Sequence, residues 1–221
     1  MNKCRILFGV FITLLVLVFS SGVEMIVKSA LNAIPAGVSS QVAILVFSTF
    51  LILLLSRKKI IEFNIDKIRI KQIIFPIALT VLLLIFSQFF SILFRSEDHP
   101  ITESMSVFQQ LVFIGILASL SEELLFRGFL QSFLTPLRSF GIPFLKTKIT
   151  LPVTISGTLF GLMHFALIGT GASFNFVIQI VIFGILMGML AGYFQEKHNN
   201  FIFAFIVHMT ANLTSLLLST I

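Results

Sequence analysis

Seven long apolar segments follow one another along the chain, and they constrain its fold more than any other feature. They span approximately residues 6–27, 41–55, 73–94, 106–134, 150–168, 174–193 and 200–219. Each reaches or approaches the ~20 residues that an α-helix needs to cross the hydrocarbon core of a bilayer. Only 11% of the residues are charged, whereas a soluble domain carries roughly 25%. We therefore predict an all-α polytopic transmembrane helix bundle of about seven spans, within a range of about six to eight, forming a single integral membrane domain over residues 1–221.

The basic residues indicate how this bundle is oriented. If the N-terminus is cytoplasmic, twelve of the 15 Lys and Arg residues fall on the cytoplasmic side and two on the outer side, as the positive-inside rule requires. The cytoplasmic residues are Lys3, Arg5, Arg57, Lys58, Lys59, Lys67, Arg69, Lys71, Arg138, Lys146, Lys148 and Lys197, and the outer ones are Lys28 and Arg95. The predicted outer loop 95–104 is acidic. We predict a cytoplasmic N-terminus and, from the short loops, a prokaryotic cytoplasmic membrane. No basic stripe is interleaved with stacking aromatics, so no nucleic-acid partner is expected.

The first segment supplies no catalytic group. Cys4 is the only cysteine, which excludes a disulfide scaffold, and its terminal position does not suit a thiol nucleophile. Glu24 and Lys28 are spaced i,i+4 near the outer end of this segment, and we predict that they form an interfacial ion pair. Candidate functional residues must therefore come from the later segments.

Glycines recur at four-residue intervals in two of those segments. Gly157 and Gly161 lie in the fifth, and Gly184, Gly188 and Gly192 lie in the sixth. Small residues at this spacing let helix backbones approach one another closely in membranes. We predict that these glycines mark sites of close helix packing.

Charged residues inside transmembrane segments are costly and usually face the interior of the bundle or a wet cavity. The fourth segment carries three of them, Glu122, Glu123 and Arg127. Glu123 and Arg127 are i,i+4 and can pair along one helix face. Glu122 is rotated about 100° from Glu123 and is left free to face another helix.

Two histidines and an asparagine lie at similar depth in other segments. His164 lies in the fifth segment, and His208 and Asn212 lie i,i+4 in the seventh. A carboxylate and a neutral imidazole that share one water can remove its proton. A second imidazole and an amide can donate hydrogen bonds to a developing oxyanion. Such a set suits hydrolysis of a peptide bond without a Ser or Cys nucleophile.

Three patterns on separate apolar segments resemble the motifs of the CPBP family: Glu122-Glu123-x-x-x-Arg127, Phe160-x-x-x-His164 and His208-x-x-x-Asn212. That family includes the type II CAAX prenyl endopeptidases and the bacterial Abi, or bacteriocin-immunity, proteins. The resemblance covers a motif-bearing core at residues 106–219, roughly half of the chain, and it implies an intramembrane endopeptidase.

The resemblance also implies a role for each matching residue. Glu122 matches the catalytic glutamate, His164 its partner in activating water, His208 and Asn212 the oxyanion-stabilising pair, and Glu123 and Arg127 the supporting positions. The family has been described both as metalloproteases and as glutamate-dependent proteases. The chain lacks an HExxH pattern, and we favour a mechanism without a metal cofactor. If zinc is bound, Glu122, His164 and His208 would form a three-ligand site.

Two other functions stay open at this point. The first is a non-proteolytic membrane protein of the same fold, acting in bacteriocin immunity or as a scaffold. The second is an ion or proton transporter, although no repeated halves are evident. The expected partners are the lipid bilayer and a membrane-associated peptide or protein substrate. The sequence decides neither whether that substrate is prenylated nor the oligomeric state.

Overall fold

The computed structural model describes residues 2–31, 34–94, 105–144 and 147–218. The outer loop 95–104 and Lys146 lie outside the described residues. In chain order the helices are α1 (Asn2–Ala30), α2 (Val38–Arg57), α3 (Ile70–Phe94), α4 (residues 107–131), α5 (Leu151–Leu162), α6 (Phe174–His198) and α7 (Phe201–Leu218). In the described part of the chain, six helical segments besides α4 are long and apolar enough to cross a membrane, and one of them is α5 together with its helical continuation to Thr170. The prediction of an all-α polytopic bundle is confirmed, while the cytoplasmic N-terminus stays a prediction.

Helix α4 corresponds to the predicted fourth span but is not a regular α-helix. After Val107–Gln109 it continues as a π-helix over Gln110–Ala118, an α-helix over Ser119–Glu123 and a second π-helix over Leu124–Gln131. The residues at these joints keep right-handed helical backbone angles, so the axis is continuous. π-helical turns are rare and occur frequently at functional sites. Here they flank the short α-helical stretch that carries both glutamates.

Helix α4 occupies the centre of the bundle. All ten residues from Leu125 to Leu134 are buried, and a helix that is buried on every side needs neighbours all round. The apolar core around α4 includes Val16 of α1, Ile52 of α2 and Val207 of α7. Both the N-terminal helices and the motif-bearing helices therefore pack on the same central helix.

A short β-hairpin precedes α5, and the sequence analysis did not predict it. Strand β1 (Gly141–Phe144) pairs antiparallel with strand β2 (Thr147–Thr150). Thr150 ends the hairpin and caps α5, because its hydroxyl accepts a hydrogen bond from the Val153 N–H. The predicted fifth span is α-helical only to Leu162 and continues as a 3₁₀-helix over Met163–Thr170.

The predicted close packing at the glycines is confirmed, and the structure shows that the two glycine series, on α5 and α6, face each other. A Cβ at Gly184 would lie 3.0 Å from the Gly161 Cα, and a Cβ at Gly188 would lie 3.0 Å from the Gly157 Cα. The backbones of the two helices thus touch along this line. On α6, the carbonyl oxygens of Gly188 and Gly192 also accept hydrogen bonds from Arg127 and Gln131 of α4.

We expect Gly161→Ala to lower the stability of the folded protein by about 1–3 kcal/mol, because it overpacks this contact. The added Cβ would lie 2.5 Å from the Ile185 N and 2.6 Å from the Val181 O, which are backbone atoms that cannot turn away. Gly22→Ala in α1 is the matched control, since nothing lies within 4 Å of its Cβ position. Thermal unfolding in detergent measures both variants. An unfolding temperature for Gly161→Ala equal to that of Gly22→Ala would contradict the packing argument.

Candidate active site

Glu123 is the anchored carboxylate of the pair on α4. It and Arg127 are both completely buried, and the Glu123 Oε1 lies 2.9 Å from the Arg127 Nη1. The Arg127 Nη2 donates to the Gly188 carbonyl oxygen at 2.7 Å. That bond requires the glycine, because a Cβ at this position would lie 2.8 Å from the same nitrogen. The predicted i,i+4 pair is present, and the Arg127 hydrogen bond to Gly188 links it to α6.

His208 is oriented by the same carboxylate. Its Nδ1 lies 2.9 Å from the Glu123 Oε1. Because a carboxylate only accepts, the Nδ1–H of His208 donates, and a neutral ring then carries its lone pair on Nε2. That Nε2 lies 3.9 Å from the Glu122 Oε2. One water at normal hydrogen-bond distances of about 2.8 Å can bond to both atoms at this separation.

Glu122 has a different environment from its neighbour. Its side chain is 9% exposed, and its Oε1 accepts a hydrogen bond from the Gln41 Nε2 at 2.7 Å. The Gln41 Oε1 in turn accepts from the Ser121 hydroxyl. No Lys or Arg forms an ion pair with Glu122 among the residues that the structure describes. Glu122 is therefore hydrogen-bonded to a neutral amide, whereas Glu123 is paired with a cation.

Sequence reasoning missed Gln41. It lies in the first turn of α2 and belongs to none of the three motifs. The available signal was its chemistry, since it is the one amide side chain in the apolar segment 41–55. Polar side chains at membrane depth usually hydrogen-bond across helices. An amide in one apolar segment is therefore a candidate partner for the glutamates in another.

His164 shares an aromatic neighbour with His208. The Phe160 ring centroid lies 5.2 Å from the His164 ring and 5.2 Å from the His208 ring, so both imidazoles contact the same aromatic side chain. The His164 Nδ1 hydrogen-bonds to the Phe160 carbonyl oxygen at 3.0 Å. His164 interacts electrostatically with Glu122 and His208, but no hydrogen bond or ion pair joins it to Glu122. Its predicted sharing of a water with Glu122 stays a prediction.

Asn212 connects α7 to α4. Its Nδ2 donates to the Ile114 carbonyl oxygen and to the Ser119 hydroxyl, both at 3.0 Å. These two bonds use both amide hydrogens. Stabilisation of an oxyanion by Asn212 would require one of them to be released, and that role stays a prediction.

The side chains named for a zinc site do not assemble as a metal site. Across the described part of the chain, no group of three or more His, Cys, Asp or Glu side chains is arranged to hold a metal ion. The Nδ1-to-carboxylate bond of His208 is the kind that orients metal-binding histidines, but Glu122 and His164 do not complete a set around it. The mechanism without a metal cofactor stays a prediction.

Comparison with known proteins gives one match. The family model for Rce1-like type II CAAX prenyl endopeptidases matches residues 104–214, half of the chain. This range contains every residue of the three motifs. No curated protein and no solved structure matches the chain. Helices α1, α2 and α3 lie outside the matched range.

Proposed function

This chain belongs to the Rce1-like type II CAAX prenyl endopeptidase family, and we propose that it hydrolyses a peptide bond of a membrane-associated substrate with Glu122 as the base. The observation that carries the proposal is the contrast between the two adjacent buried carboxylates. Glu123 is paired with Arg127, so its negative charge is already balanced and its Oε1 already contacts the Arg127 Nη1. The Glu122 Oε2 faces an imidazole nitrogen across a gap of 3.9 Å. Two carboxylates in such different environments are suited to different tasks.

The chemistry follows from the hydrogen-bonding capacity of these groups. A water between the Glu122 Oε2 and the His208 Nε2 gives one proton to Glu122, and its oxygen forms a bond to the scissile carbonyl carbon. The carbonyl oxygen becomes an oxyanion. When it reforms the double bond, the C–N bond breaks and the proton on Glu122 passes to the leaving amine.

The two histidines are proposed to act on either side of this water. With its Nδ1–H directed to Glu123, a neutral His208 offers Nε2 only as an acceptor, which suits binding of the water. It would donate a hydrogen bond to an oxyanion only as an imidazolium. His164, which contacts the same Phe160 ring as His208, is proposed as the second group that contacts the reacting water or oxyanion.

The family indicates the substrate class. We propose a peptide with a C-terminal CAAX sequence whose cysteine carries a prenyl chain, because a lipid-modified peptide is held at the membrane surface next to the bundle.

The direct test uses the purified chain in lipid vesicles with a fluorogenic CAAX peptide, either farnesylated or unmodified. We expect cleavage of the farnesylated peptide and slower cleavage of the unmodified one. The same assay with a zinc chelator is expected to give an unchanged rate. A folded preparation that cleaves neither peptide but carries protons or ions across the vesicle membrane would refute the proposal and favour the transporter.

A further inference from the structure

We propose that Gln41 is a positioning residue that orients the Glu122 carboxylate. Helices α1 and α2 thereby contribute to the active site. The inference rests on the proposed function, because it assigns Gln41 a role in the reaction of Glu122. It adds a residue from α2, which lies outside the family-matched residues 104–214.

The orientation of that amide is determined by its two neighbours. The carboxylate of Glu122 only accepts, so the Gln41 amino group must face it, at 2.7 Å. The Gln41 carbonyl oxygen then faces the Ser121 hydroxyl, which donates to it. The reverse orientation would place two acceptors together at Glu122. Ser121, next to Glu122 in sequence, thus keeps Gln41 in the one orientation that can hold the carboxylate.

This hydrogen bond fixes one oxygen and leaves the other for chemistry. With Oε1 held by Gln41, the Glu122 carboxylate cannot turn freely, and Oε2 stays directed at the His208 Nε2. A neutral amide orients a carboxylate without cancelling its charge, whereas an arginine would balance the charge, as Arg127 does for Glu123. A glutamine is therefore suited to hold a base that must still accept a proton.

The position of Gln41 is set in turn by Glu24 of α1. The Glu24 Oε1 accepts from the Gly37 N–H at 2.8 Å, and its Oε2 accepts from the Ser40 N–H at 3.0 Å. A carboxylate at the start of a helix satisfies free backbone N–H groups and interacts favourably with the helix dipole. Gly37 has φ +86°, a conformation that favours glycine. The Gln41 N–H bonds to the Gly37 carbonyl oxygen at 3.0 Å, so the cap and Gln41 share the first turn of α2.

The predicted ion pair between Glu24 and Lys28 is not what the structure shows. Glu24 directs both carboxylate oxygens to the start of α2, and among the described residues no ion pair joins it to Lys28. The reason is that two converging backbone N–H groups fix a carboxylate better than one flexible, solvated ammonium group.

Gln41→Met tests the proposal, since methionine keeps the size of the side chain and removes both hydrogen bonds. We expect kcat for peptide hydrolysis to fall by about 10- to 100-fold, the range for loss of a hydrogen bond to a charged group. KM should change by less than about twofold, because the lost bond acts on Glu122 rather than on the substrate. Gln72→Met is the matched control: Gln72 is exposed, and we expect its kcat to match that of the native protein. Thermal unfolding verifies that each variant is folded.

Ser121→Ala distinguishes a positioning role of Gln41 from a purely structural one. If Ser121 acts by orienting Gln41, Ser121→Ala lowers kcat alone but lowers it no further in the Gln41→Met background. Glu24→Ala should also lower kcat, by less than Gln41→Met. Full kcat in a folded Gln41→Met variant, or losses that multiply in the double variant, would overturn the inference. If Glu122→Gln itself keeps activity, the proposed function fails instead, and the two failures are thereby distinguished.

Discussion

Glu122→Gln is expected to lower kcat for peptide hydrolysis by about 10²- to 10⁴-fold, the usual contribution of a general base. The amide keeps the size of the side chain and can still accept the hydrogen bond from the Gln41 Nε2. It cannot accept a proton from water. The loss should therefore appear in kcat with little change in KM, because the carboxylate takes up the proton only in the transition state. Initial rates over a range of peptide concentrations measure both quantities.

Glu62→Gln is the matched control for this experiment. Glu62 is an exposed glutamate between α2 and α3, far in sequence from the three motifs, and the same charge is removed there. We expect its kcat to equal that of the native protein. A folded Glu122→Gln variant with native activity would rule out Glu122 as the base. The chain would still belong to the family, and a different residue would have to remove the proton from the water.

Arg127→Met is expected to destabilise the folded protein by about 3–5 kcal/mol, the usual cost of removing one partner of a buried ion pair. Both side chains of the pair are completely buried, so Glu123 would be left charged with no cation beside it. The bond from Arg127 to the Gly188 carbonyl oxygen would be lost as well. Unfolding in mixed detergent micelles measures the change, and peptide hydrolysis should fall together with the folded fraction.

The double variant Glu123→Leu, Arg127→Met separates the two roles of this pair. It removes both buried charges, so we expect it to be more stable than Arg127→Met alone. It should nevertheless stay at least tenfold less active than the native protein, because the His208 Nδ1–H has lost the carboxylate that orients its ring. Native stability of Arg127→Met would show that the pair contributes nothing to the fold. Native activity of a folded double variant would show that Glu123 does not position His208.

Much of the site was predictable because its signals are local. The apolar segments define helices by length and composition, and the charged residues inside them stand out because lipid makes them costly. The Glu123–Arg127 contact follows from i,i+4 spacing on one helix, and close helix packing at the glycines follows from four-residue spacing. The first motif lies on α4, where its charged residues interrupt an apolar segment. Each of these properties can be evaluated within one segment of chain.

Other features depend on how distant segments meet. The pairing of Glu122 with His164 stays a prediction, and the structure adds that the His208 Nε2 lies 3.9 Å from the Glu122 Oε2. The π-helical stretches on both sides of the glutamates were not predicted from the sequence. Gln41 belongs to none of the three motifs. Its hydrogen bond to Glu122 depends on the packing that brings the start of α2 next to Ser121 and Glu122.

By itself, the sequence determined that this chain is a membrane helix bundle, which family it belongs to and which polar residues are available for chemistry. These properties follow from hydrophobicity and spacing along one chain, and the bilayer acts on each segment separately. Only the tertiary structure decided that Glu123 holds His208, that Gln41 holds Glu122 and that Glu24 anchors the helix carrying Gln41. Hydrogen bonds have a range of about 3 Å and a required direction, so partners 81 to 85 residues apart are chosen by helix packing rather than by sequence spacing.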